Sequence, residues 1–339
     1  MTTETLRLSS PSELLAIVPF LLGFEPSDSI MVICLENSTI GLTQRLDLPP
    51  AGEGEAVVRS LMPALMREHP DQVLLIAYEN QADRSAEAVH TLTSALAAAC
   101  VPIHDRIVVR GGRWRPLDCH EPSCCPTQGR PVPAPAEVPA LASKFVGHEL
   151  SPYVDRNAFV AQLEAGPESA SATDLEAAEA LGQDDVNAVW PQILDADDSP
   201  AQITPAMAAS ADVSLRDLQV RDGLVAWLTP GTLDPAHLPA EVQSLLSGMD
   251  REWDEDQPDT GAIVAMNRIQ ARLIHLCALL RDEHAAAALT VLACFTWWRG
   301  NGALARAALD RALRCQPDYR LALLLERMVD LAIRPRPHR

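Results

Sequence analysis

Gln72 to Tyr78 reads QVLLIAY, and the polar pair Glu79-Asn80 ends it. A short continuous apolar run bounded by polar residues predicts a buried strand, and the neighbouring segments arrange themselves around it. Upstream, Ala56 to His69 has helical spacing with a possible kink at Pro63, and Pro49-Pro50 closes the segment before it. Further upstream, Ser29 to Leu35 (SIMVICL) is a second buried-strand run, and Asn37-Ser38 turns it into Thr39 to Leu48. Pro11 to Leu22 opens the pattern as a helix, with Ser9 or Ser10 as cap and Gly23 as stop. Downstream, the Ala-rich stretch Ser85 to Cys100 reads as a helix. Ile103 to Arg110 and Arg113 to Leu117 then flank Gly111-Gly112 as a hairpin. The order α-β-β-α-β-α-β-β implies one mixed sheet covered by helices.

The rest of the chain reads differently. Pro126, Pro131, Pro133, Pro135 and Pro139 mark a stiff linker or a strap over the sheet. Residues from about 150 to 200 are acidic and Ala-rich, with a short helix expected over Val186 to Leu194. From Ser214 onward the periodicity is helical. In Glu283 to Ala322, the turn Gly300-Asn301-Gly302 separates two apolar stripes on which Ala305 and Ala312 allow close approach. Those spacings are similar to a tetratricopeptide repeat at about residues 286–319. The expected organisation is an α/β domain over 1–130, a Pro-rich and acidic segment over 131–200, and a helical domain over 201–339.

The formal net charge of −19 disfavours a phosphate-backbone partner, because such binding depends on clustered basic residues. The local exception is Arg106, Arg110, Arg113 and Arg115, read as a solvated hairpin face rather than a nucleic-acid patch. Lys144, the only lysine, does not follow a Gly-rich turn, which removes a Walker-type phosphate loop. Leu14 to Phe24 is the longest apolar run near the N-terminus; Pro19 breaks it, and it is shorter than the roughly 20 residues a membrane helix needs. A cytoplasmic protein is therefore expected, with its eight cysteines as thiols.

The candidate chemistry is local. Cys119, His120, Cys124 and Cys125 lie in the loop Asp118 to Pro126, and soft thiolates with an imidazole suit Zn²⁺. A second cysteine pair is lacking, so His104 or His148 would have to complete a site. A reactive thiol and a structural loop are the other two readings. Gly52-x-Gly54 invites a dinucleotide reading, but Val57 stands where the third glycine belongs, and Glu53 and Glu55 repel a pyrophosphate. Arg45 and Asp47 alternate on one face near the end of the second strand. They are read either as an orienting pair for a polar ligand or as an ion pair at the sheet edge. No His-Glu-x-x-His helix or Gly-x-Ser-x-Gly elbow occurs. Cys277, Cys294 and Cys315 stand among apolar residues and read as core packing.

Several stretches together resemble one family. They are LLAIVPFLLGFEPSDS (14–29), QRLDLP (44–49), WRPLDCHEPSCCPTQG (114–129), VRDG (220–223) and the Ala-rich C-terminal hairpin. The family, of actinobacterial and actinophage proteins, is known as domain of unknown function 4192. The resemblance implies that Pro19, Gly23, Pro26, Arg45, Asp47, Cys119, Cys124, Cys125 and Gly129 match motif positions; it implies no reaction. Two functions follow as expectations. The first is an intracellular interaction or regulatory protein whose helices form a groove for a protein or peptide partner. The second is an enzyme or small-ligand binder whose site joins Arg45 and Asp47 to the Cys119–Cys125 loop. A zinc-stabilised module is compatible with either.

Overall fold

The computed structural model describes residues 10–37, 39–119, 121, 123, 125–134, 137–138, 151–254 and 259–333. The chain divides into two compact units, Leu6–Ala142 with Asp330–Ile333 in one and Ser143–Val329 in the larger other.

The first unit is the expected mixed α/β arrangement. Helix α1 (Pro11–Leu22) starts where the Ser10 hydroxyl accepts a bond from the Glu13 amide at 3.3 Å, and it ends at Gly23. Strands β1 (Ser29–Glu36) and β2 (Thr39–Asp47) form an antiparallel hairpin. Helix α2 (Glu55–Glu68) runs through Pro63 and leads to β3 (Gln72–Tyr78). Helix α3 (Ala86–Ala98) then leads to β4 (Ile103–Arg110), β5 (Arg113–Pro116) and the two-residue β6 (Arg130–Pro131).

The sheet order is β2-β1-β3-β4-β5-β6, and β3–β4 is its parallel pair. Strands β1 and β3 are buried along nearly their whole length, so both faces of the centre are covered. The crossovers β2-α2-β3 and β3-α3-β4 step in the same direction across the sheet. Right-handedness therefore places α2 and α3 on one face, and α1 covers the other. Pro131 sits in the edge strand β6, where a missing N–H is tolerated. A Cβ at Gly129 would stand 2.8 Å from the Trp114 carbonyl oxygen at a φ of +73°, so the chain reaches β6 through a position that only glycine fits.

The second unit is helical. Its elements are α4 (Arg156–Ala161), α5 (Ala172–Glu179), α6 (Gln183–Asn187), α7 (Trp190–Ile193), α8 (Pro205–Leu215), α9 (Leu218–Leu228) and α10 (Ala240–Ser247). They are followed by α11 (Thr260–Ala278), α12 (Asp282–Trp298), α13 (Gly302–Cys315) and α14 (Arg320–Asp330). The helix expected over Val186 to Leu194 is two short ones: Pro191 has no N–H to continue a helix but fits the first turn of a new one. The acidic segment packs through small residues, Ala170 and Ala178 meeting Ala209. Helices α12 and α13 pair along the three-residue turn, with Ala305 and Ala312 fully buried.

Buried arginines tie this unit together. Arg311, 1% exposed, donates to the carbonyls of Leu163, Cys277 and Leu280 and to Asp282. Arg272 donates in the same way to carbonyls of Gln192, Ile193 and Ser199. Among the described residues, no helix is long and apolar enough to cross a membrane.

Candidate functional site at the carboxyl ends of the parallel strands

A cavity of about 310 Å³ lies where β3 and β4 end. Its walls come from α1 (Leu15, Ala16, Pro19), the segment Glu25-Pro26-Ser27, the strand ends Tyr78-Glu79-Asn80 and Val109-Arg110, the turn Gly111-Gly112, and Val132-Pro133 beyond β6. The cavity lies outside the carboxyl ends of the parallel pair, the side of an open α/β sheet on which ligands bind, though not at a point where the strand order reverses. The turn is tight because Gly111 and Gly112 take φ values of +55° and +70°, as a two-residue hairpin turn requires.

The polar residues of the cavity are held from behind. Glu79 is buried at 3% exposure. Its Oε2 accepts from the Ser85 amide at 3.1 Å and the Ser85 hydroxyl at 2.9 Å, at the start of α3. Its Oε1 accepts from Arg110 Nη1 at 3.0 Å. The helix end fixes the carboxylate, and the carboxylate fixes one nitrogen of a guanidinium whose side chain is 41% exposed. Asn80 is oriented by Asp28, whose carboxylate accepts from its backbone and side-chain nitrogens, both at 2.8 Å.

Tyr78 stands beside this pair on the α1 face. Its hydroxyl is buried and no protein group bonds it. Register pairs Tyr78 with Ser29 and with Val109, and Val109 with Trp114, so these side chains share one face. The Ser29 hydroxyl and the Trp114 indole nitrogen are also buried without a partner. Buried polar atoms are normally bonded, so a row of orphans at the end of a sheet calls for an explanation. Burial raises the Tyr78 pKa above the ordinary phenol value, and the nearby Glu25 carboxylate raises it further. Glu25 is an exposed residue whose pKa is raised above the ordinary carboxylate value by partial desolvation.

The residues singled out from sequence fall in three places. Arg45 and Asp47 form an ion pair at 2.6 Å near the end of β2. Arg45 also donates to the Ser27 carbonyl at 3.3 Å and lies 5.6 Å from the centre of the Phe24 ring. It thus braces the segment that forms one cavity wall. Cys119 and Cys125 are partly buried; His120, Cys124 and His148 lie outside the described residues. The loop leaves β5 beside the amino end of β4, where the Leu117 amide donates to the Arg106 carbonyl at 2.7 Å. Strands β2 and β5 are four places apart, roughly 19 Å at the usual strand spacing. The start of the loop at Cys119 therefore stands well apart from Arg45 and Asp47 on the sheet. Among the described residues, no group of three or more His, Cys, Asp or Glu side chains is placed to hold a metal ion.

The Gly52-x-Gly54 loop does bind an anion, but an internal one. The Glu87 carboxylate accepts from the Gly52 and Gly54 amides at 2.8 and 3.0 Å, and the Gly52 bond leads in lowering its pKa. The arginine run is likewise largely engaged. Arg106 pairs with Asp118, Arg110 with Glu79, and Arg113 donates to the carbonyls of Gln128 and Gly129.

Sequence reading misses Glu25, Tyr78, Glu79 and Arg110 as a set, because they come from three distant stretches. The signal present in the sequence was the polar pair that ends β3 and the Gly-Gly turn that follows Arg110. No curated protein and no solved structure gives a match. The family model described as domain of unknown function (DUF4192) matches residues 11–336, nearly the whole chain, and its span takes in every wall of the cavity. The chain belongs to that family.

Proposed function

We propose that the sheet domain binds a small polar molecule in the cavity at the ends of β3 and β4. The observation that carries this reading is the 310 Å³ cavity at the strand ends, which the Arg110 guanidinium, held from behind by Glu79, lines together with Glu25. The volume lies at the small end of the range of about 300–1,000 Å³ for ligand pockets, with an apolar wall and a few converging polar groups. The test is a ligand-observed NMR screen of small metabolites of mixed charge against the full chain and a Val132→Trp variant, which narrows the mouth. Compounds that bind the natural protein and not the variant support the reading. A screen in which every binder is indifferent to Val132→Trp, or in which nothing binds, overturns it.

A second reading, a protein or peptide partner held by the helical unit, is supported by α14. Its side chains Leu323 and Leu324 stay 38% and 58% exposed while Ala322 and Leu325 are buried. Leu324→Glu should abolish binding of peptides selected from a random library on the full chain. Selected peptides that bind the variant equally well would remove this reading.

A further inference from the structure

We propose that the occupant of the cavity is a small amino carboxylate with an apolar side chain, its ammonium held by Glu25 and its carboxylate by Arg110. This inference rests on the cavity being a ligand site. The charges in the wall decide the class. Arg110 gives one nitrogen to Glu79, and its remaining N–H groups are free to form the forked pair that carboxylates favour. Glu79 has both oxygens engaged, by Ser85 and by Arg110, so it orients the guanidinium without competing for ligand.

The Glu25 part of the wall needs donors instead. Glu25 is an acceptor that has lost part of its hydration. Pro19 has no N–H to give the Leu15 carbonyl in the helical pattern, and both residues line the cavity. A ligand carrying only a carboxylate would leave Glu25 facing an anion. One carrying only an amine would leave Arg110 unfilled. A phosphate dianion would meet two carboxylates for one guanidinium. The zwitterion satisfies both ends, and Leu15, Ala16, Pro19 and Val132 offer an apolar wall to its side chain.

The test is calorimetric titration of the full chain with L-alanine, L-valine, L-leucine, L-methionine and L-phenylalanine. Each is compared with the matching acid that lacks the amino group and the matching amine that lacks the carboxylate. At least one amino acid should bind tenfold or more tightly than both of its partners. Glu25→Gln should erase the preference over the acid, and Arg110→Gln the preference over the amine. Should Arg110→Gln fold poorly, Arg110→Lys should retain the preference in weakened form. An acid or amine that binds as tightly as its amino acid overturns the inference. If no amino acid binds but the screen yields another compound sensitive to Val132→Trp, the cavity remains a ligand site and the ligand class is wrong. If neither binds, both readings fail together.

Discussion

Replacing Tyr78 by Phe should make the unliganded sheet domain more stable. The ring is 8% exposed and would keep its packing, so the change removes one atom, a buried hydroxyl that no protein group bonds. Deleting a bonded hydroxyl costs stability, whereas deleting an orphan releases its desolvation penalty of about 1–3 kcal/mol. The two compact units need not melt together, and a single global midpoint would mix them. Hydrogen exchange by mass spectrometry on the full chain separates them, since each peptide reports its own opening free energy. Peptides covering Gln72–Tyr78 should exchange about 5- to 150-fold more slowly in the variant, the equivalent of that free energy. Peptides from Asp282–Trp298 should be unchanged and serve as an internal control. Tyr78→Ala should go the other way by about 3–5 kcal/mol, because the ring is lost as well. Faster exchange of the β3 peptides in Tyr78→Phe would mean that the hydroxyl is bonded within the fold, and the orphan row would lose its meaning.

Other perturbations test the surrounding structure. Arg311→Met should cost the helical unit about 3–5 kcal/mol in urea unfolding, since three carbonyls and Asp282 lose a buried donor; a loss under about 1 kcal/mol would show the clamp to be dispensable. Ala312→Leu should cost about 1–3 kcal/mol by overpacking the contact between α12 and α13, and full retention of stability would put position 312 outside the contact. Glu25 supplies a pH dependence whose sign is fixed. Its folded pKa is raised above the ordinary 4.5, so the folded state holds the proton more tightly. Its contribution is therefore greatest at low pH and declines as pH rises through the raised value. Glu25→Gln should flatten that decline in sheet-domain stability, and an unchanged slope would show that the carboxyl is solvated. Burial pushes the Cys277 and Cys294 thiols up to about 12, so iodoacetamide at neutral pH should modify exposed Cys100 well before either.

The sheet was legible because its physics is local. QVLLIAY and SIMVICL announce central strands by continuous apolarity, and Gly111-Gly112 announces a turn that few other dipeptides make. Strand β6 was not legible: it is two residues long, contains Pro131, and exists only because Gly129 lets the chain approach Trp114 closely. The site was hidden for a related reason. Tyr78 reads as the last apolar residue of a strand, and nothing local reveals that its hydroxyl finds no partner. Arg110 reads as one member of an exposed arginine run until Glu79 is seen to pin it. Arg45, which sequence reads either as an orienting residue for a polar ligand or as half of an ion pair at the sheet edge, spends its guanidinium on Asp47, the Ser27 carbonyl and the Phe24 ring. Of the positions the family resemblance picks out, Pro19 and Pro26 line the cavity and Arg45 braces it; the chain leaves β5 toward Cys119 at the other end of the sheet.

What separates a structural cation from a functional one in this molecule is how completely the fold consumes its donors. Arg311 and Arg272 are 1% exposed, and each spreads its guanidinium over several carbonyls of its own unit. Arg299, pushed down to about 10 by burial, gives its nitrogens to the Met266 carbonyl, Gln270 and Asn267. Such arginines are costly to bury and are retained where backbone acceptors need them. They have nothing left for a ligand. Arg110 differs in each respect: it is partly exposed, a single nitrogen is engaged, and the engaging carboxylate is held rigid by the start of a helix. Catalytic and binding sites are built from rigidly supported groups with unspent capacity. By that criterion the unspent donor capacity lies at the sheet end and not in the arginine-rich helical core.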